Sequence, residues 1–152
     1  MIIEKIKYTA LLIGLFQIAK VDWQKRKIPN RYLKELLLWK GMLFIMEETV
    51  FLQRFCVLDF QPMIIGFLCG GGILLTCYIV TKRRIGAGDV KLFAVIGLYV
   101  GAESVLRIIA FSFLTAFLFV VIKLVLEKVD LKEQIPLGPF AFGTVMIEIF
   151  LF

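Results

Sequence analysis

The run Lys82-Arg83-Arg84-Ile85-Gly86-Ala87-Gly88-Asp89-Val90-Lys91 decides how the chain is read. Its three basic residues close an apolar stretch, a glycine-flanked acid follows, and from Leu92 to Gly101 the sequence turns apolar again. An ionisable side chain beside membrane-depth sequence is expensive unless it has a job, which makes Asp89 a candidate functional residue. Its partner has to come from elsewhere, and Asp22, at the end of the first hydrophobic segment, is the matching acid.

Composition sets the environment. Of 152 residues, 61% are hydrophobic and the mean hydropathy is +0.92, against about 45–50% apolar in soluble domains. So short a chain has too much surface for its volume to hide that much apolar material in a water-soluble core. The reading is an all-α, polytopic membrane protein. The net charge of +6 sits in short clusters between apolar runs, which suits an anionic cytoplasmic leaflet better than a nucleic-acid groove. Membrane lipid is the expected partner, and nucleic acid is not. Cys56, Cys69 and Cys77 are isolated and there is no His, so His-based triads and His zinc sites are excluded, and no zinc knuckle or disulfide framework is indicated. Neither a metal nor a cofactor is expected. Lys20-Val21-Asp22 closes the first apolar stretch without a convincing cleavage site, so it reads as a retained span.

About six spans are predicted, one of them short or re-entrant. The first runs from about Ile3 to Val21, with lysines snorkelling at its ends. A basic loop, Asp22 to Asn30, follows, and Pro29-Asn30 signals a helix start near Arg31. The second span carries Lys40, which either snorkels or lines a polar interior, and Glu47 to Asp59 reads as a partly amphipathic connection. Pro62 to Val80 is the clearest span, and its Gly66, Gly70, Gly71 and Gly72 invite close helix approach. Leu92 to Ala102 is short: either it is a full span that recruits the Gly86–Lys91 turn at one end and Ser104 to Leu106 at the other, or it is re-entrant, and in both cases its non-helical part is buried in protein or faces a water-filled cavity. Ile108 to Leu126, a charged loop from Glu127 to Gln134, and a last segment from Ile135 to Phe152 with an irregular, proline-marked start complete the chain.

With six spans, the first, third and fifth loops share a side. They hold Lys20, Lys25, Arg26, Lys27, Arg31 and Lys34, then Lys82, Arg83, Arg84 and Lys91, then Lys123, Lys128 and Lys132, most of the 18 basic residues. The positive-inside rule makes that side cytoplasmic. Asp22 and Asp89 then fall at the same face.

Two carboxylates brought together from different helices do not readily both ionise, so they share a proton. One can act as base on a water while the other donates to the scissile carbonyl or leaving amine, which hydrolyses a peptide bond without Ser, His or metal. The residues alone leave other uses open: ion pairs with Arg84 or Lys91, a bound cation, or a relay in a small cation- or proton-coupled membrane transporter. The Gly-x-Gly before Asp89 fits neither a dinucleotide fold nor a Walker loop. Its glycines suit close backbone approach instead.

Three blocks resemble the prepilin leader peptidase family, the membrane aspartic peptidases of type IV pilus and type II secretion systems, including short forms and archaeal preflagellin peptidases. Asp22 to Asn30, ending in Ile28-Pro29-Asn30, resembles the first-aspartate loop. Gly86-Ala87-Gly88-Asp89-Val90-Lys91-Leu92, with Gly97 and Gly101, resembles the second-aspartate (GxGD) block. Ile135-Pro136-Leu137-Gly138-Pro139-Phe140 with Gly143 resembles the block that opens the last span.

The resemblance implies a single transmembrane aspartic peptidase domain over residues 1–152, with Asp22 and Asp89 as its catalytic pair. Gly86 and Gly88 would shape the loop of the second acid, Ile28, Pro29, Asn30 and Lys91 would be supports, and Pro136, Gly138 and Pro139 would help form the cleft. The implied substrates are prepilin-like or preflagellin-like membrane proteins: a short basic leader, a glycine before the scissile bond, then a long apolar helix, cut at the cytoplasmic face of the cell membrane. A homo-oligomer is compatible with this. Long members carry an insertion with paired CxxC motifs and also N-methylate the new terminus. Here the first span passes directly to Asp22, so the likeness is to the short, peptidase-only form.

Overall fold

The structure, a computed structural model, describes residues 2–50, 57–82, 85–127 and 136–151. They form six helices and no strand: α1 (Ile2–Lys25), α2 (Asn30–Val50), α3 (Val57–Val80), α4 (Ala87–Val100), α5 (Ala102–Glu127) and α6 (Gly138–Leu151). Arg83, Arg84, Cys56, the middle of the Glu47–Asp59 connection and most of the charged Glu127–Gln134 loop lie outside the described residues.

Among the described residues, two helical stretches are long and apolar enough to cross a membrane, Gln61–Val80 and Ala102–Leu126. They turn large apolar side chains outward, including Leu68, Ile79, Val80, Val125 and Leu126, a surface suited to acyl chains rather than water. The other four helices fall short for two different reasons. α1 and α2 have the length but carry charges near both ends, and α2 also holds Lys40 at its middle. α4 and α6 are apolar but have only 14 residues each. At 1.5 Å per residue that is about 21 Å, against about 30 Å of hydrocarbon.

At its start α4 takes in the Gly86–Lys91 block, as the first of the two alternatives has it, with Gly86 as its N-cap; its other end departs from the expectation. At the far end Gly101 takes a φ of 83° and donates its N–H to the Gly97 carbonyl at 2.9 Å, while its own carbonyl accepts from Val105 N–H at 3.1 Å. A single left-handed glycine therefore closes α4 and opens α5, so Ser104 to Leu106 belong to the next helix.

α4 is also the centre of the bundle. Leu92 to Gly97 and Tyr99 are buried, and α3, α5, α2 and α1 all pack around it. The α3–α4 interface is the most extensive, and its chemistry is that of small residues. Gly66 and Gly97 meet backbone to backbone, Gly70 lies on the Phe93 carbonyl, and a Cβ on Gly71 would stand 2.9 Å from that of Ala94. In a bilayer, where apolar burial drives little association, such close approach supplies the packing that holds helices together.

Candidate active site

The end of α1 sets Asp22. Just beyond it Arg26 adopts a left-handed conformation, φ 50°, and donates its N–H to the Asp22 carbonyl at 2.8 Å, closing the last turn. The chain then reverses through Ile28 and Pro29 into α2. Asp22 is only 4% exposed, and its Oδ2 accepts the Gly138 N–H at 2.8 Å. Gly138 opens α6, so the donor is one of the free amides of a helix N-terminus, where partial positive charge favours an anion. A Cβ at position 138 would stand 2.9 Å from that oxygen, which is why the approach requires glycine.

Asp89 is set by the start of α4. Gly86 is extended (φ −67°, ψ 132°), its carbonyl accepts the Asp89 N–H at 3.0 Å, and the Asp89 carboxylate turns back toward Gly86, where a Cβ would stand 2.8 Å from Oδ2. That places the acid at the helix N-terminus, where partial positive charge favours an anion. The charge of Asp22 reaches Asp89, since both acids stand at the same end of the bundle.

The supporting residues tie the same helix ends together. Gly88 lies on Ile28, whose Cβ would be 2.9 Å from an added Cβ. Lys91 Nζ donates to Asn30 Oδ1 at 3.2 Å, joining the first turn of α4 to the first residue of α2. Pro29 is half-buried between Ile28 and Asn30, and half-buried Pro136 and Pro139 bracket Leu137 and Gly138. There their fixed φ constrains the backbone. The α1–α2 turn thus touches the start of α4, and the start of α6 touches the end of α1. Three chain reversals gather at one end of the bundle with both acids among them.

Sequence reading missed an aromatic row beside Asp22. Trp23 meets Phe119 edge-on at 6.2 Å, and Phe119 meets Phe140 at 5.5 Å. Trp23 is signalled by its place next to Asp22, whereas Phe119 is one of 15 phenylalanines and nothing local singles it out. Lys40 takes the interior of its two expected places. It is 4% exposed, with Nζ 5.6 Å from the Tyr99 ring centre, and the Tyr99 hydroxyl donates to the Leu36 carbonyl at 2.7 Å. At the opposite end of the bundle, Arg107 on α5 bridges Glu148 on α6 and Glu103, each at 2.6 Å. Among the described residues, no three Cys, Asp or Glu side chains gather as metal ligands.

Two carboxyl groups at one end of the bundle, one of them steadied by a backbone amide, can hold one proton between them and so offer an acid and a base at once. Residues 9–122 match the type IV leader peptidase family. Both acids and the blocks around them lie inside the match, and Pro136, Gly138 and Pro139 lie beyond it. Comparison with curated proteins and with solved structures finds no match. With the family match spanning well over half of its length, and with two helices apolar enough to cross a bilayer, this membrane protein belongs to the type IV leader peptidase family and is a peptidase.

Proposed function

We propose that the protein is an aspartic endopeptidase that removes the short basic leader of prepilin-like or preflagellin-like membrane proteins at the cytoplasmic face, using Asp22 and Asp89. One observation carries this reading: Asp22 of α1 and Asp89 of α4, far apart in sequence, stand at one end of the bundle, Asp22 on the Gly138 amide and Asp89 in the first turn of α4, the two helix ends joined through Gly88 on Ile28 and Lys91 on Asn30. The pair holds one proton. The ionised carboxylate takes a proton from water as the water oxygen attacks the scissile carbonyl carbon, and its protonated partner gives its proton to the carbonyl oxygen, forming a neutral gem-diol. In the second half the roles reverse. The newly protonated acid passes its proton to the leaving nitrogen, the C–N bond breaks, and the other carboxylate takes a hydroxyl proton as the new carboxyl group forms. The pair is then back to one proton.

Charge supports the orientation. Exposed Lys20, Lys25, Lys27, Lys82 and Lys91 stand at the end that holds the acids, and basic residues concentrate on the cytoplasmic side of membrane proteins. The reading takes all six helices as membrane-embedded, with α4 and α6 as short members.

The test is cleavage of a prepilin-like substrate by the purified protein in detergent. Asp22→Asn and Asp89→Asn are each expected to lower kcat by roughly 10²–10⁴-fold, the span of general acid–base catalysis. Full activity in either variant would remove the paired-acid mechanism.

A further inference from the structure

α2 and α3 both pack on α4, yet among the described residues they share no extended interface with each other. The gap between them is a groove of about 480 Å³, with Val90, Ala94 and Val95 of α4 as its floor and Leu37, Leu68 and Gly72 in its walls. Asn30 and Lys91 stand at one end of it, joined by their hydrogen bond and within one helical turn of Asp89. From there the groove follows α4 away from the acids. Its α2 wall, Asn30 to Leu37, covers about two turns or 10 Å.

Gly72 says what kind of occupant fits. Gly66, Gly70 and Gly71 are all filled by α4, but a Cβ on Gly72 would meet nothing within 4 Å. The α3–α4 packing therefore does not account for it, and it leaves bare backbone where another helix can come close. A second groove of about 520 Å³, between α1 and α2, is lined by Lys5, Thr9, Gln17 and Glu35. It has no wall from α4 and suits an apolar helix less well.

We propose that the α2–α3 groove seats the first turns of the substrate's apolar helix, directly after the scissile bond. This rests on the peptidase reading above. A chain cut at Asp89 that continues as a membrane helix can descend beside α4, and the groove starts at Lys91, two residues from Asp89, with Asn30, Lys34 and Lys91 as its polar lining and apolar side chains and glycines as the rest.

The test compares two substrates in detergent: a full-length prepilin-like protein, and a soluble peptide with the leader and cleavage site but no apolar helix. Gly72→Leu and, independently, Leu68→Trp are expected to raise KM for the full-length protein about tenfold or more, with kcat little changed and cleavage of the peptide unaltered. Ile13→Trp, in the α1–α2 groove, is expected to change neither. A photo-crosslinker at Leu68 in an Asp22→Asn background is expected to capture the residues that follow the scissile bond. The inference is overturned if both groove-filling variants cut the full-length protein like wild type, which would leave the groove to lipid, if they affect both substrates alike, or if Ile13→Trp is the one that impairs. A wild-type protein that cuts neither substrate would instead overturn the peptidase reading itself.

Discussion

A methyl group on Gly138 would stand 2.9 Å from Oδ2 and 3.1 Å from Cβ of Asp22, and one of the two residues must then move. Gly138→Ala is expected to lift Asp22 off the α6 amide and lower kcat about 10²-fold, the scale of an ångström of misplacement at a reacting group. KM and helix content should stay near wild type. Loss of helical circular dichroism in parallel with activity would show that the glycine serves folding and not the acid. At this scale the two aspartates were legible, because an acid at the edge of an apolar run has few inexpensive explanations. The contact between Gly138 and Asp22 was not. It joins residues 116 positions apart, and nothing local in either segment says which helix ends meet; only the family resemblance pointed to Gly138.

Among the elements, the α3–α4 pair carries the tightest packing and the sharpest expectation. A Cβ on Gly97 falls directly on the Gly66 carbonyl, with rigid backbone on both sides. Gly97→Ala is expected to destabilise the protein by about 1–3 kcal/mol, the range for overpacking, read as a lower midpoint of thermal unfolding in detergent. Gly72→Ala, on α3 but facing open space, should leave that midpoint unchanged. The glycines of α3 could be read from sequence as a close-packing face, but their partners could not. α4 is buried over most of its circumference, so its hydrophobic pattern has no period to betray where the helix starts. α4 takes in the Gly86–Lys91 block because its ladder starts at the Gly86 carbonyl, which accepts the Asp89 N–H, and a pattern of apolar residues does not register capping. Gly101 was read as part of a motif, while its work as a one-residue joint depends on a positive φ.

Over the whole molecule, the arrangement of charge makes a claim about sidedness. In a cysteine-free background, Lys27→Cys is expected to react with a membrane-impermeant thiol reagent only when the cytoplasmic face is open to it. Labelling of intact cells from outside would reverse the proposed orientation and place both acids at the wrong face. The basic loops put both acids at one end of the bundle, and the helix ends that carry them do converge. What stayed hidden were the polar ties that lock helices to one another: Arg107 to Glu148, Ser112 to Thr144 at 2.7 Å, and Lys40 over Tyr99. A charged or hydroxyl side chain in an apolar run signals that it has a partner without saying which.

The amide that steadies Asp22 belongs to α6, a helix that begins at Gly138, well after Asp89 in the chain. During synthesis both acids leave the ribosome well before that helix does, so on the proposed reading a nascent chain carries its pair of acids without the donor that sets one of them. Such a peptidase stays dormant until α6 has been made and has docked on the end of α1.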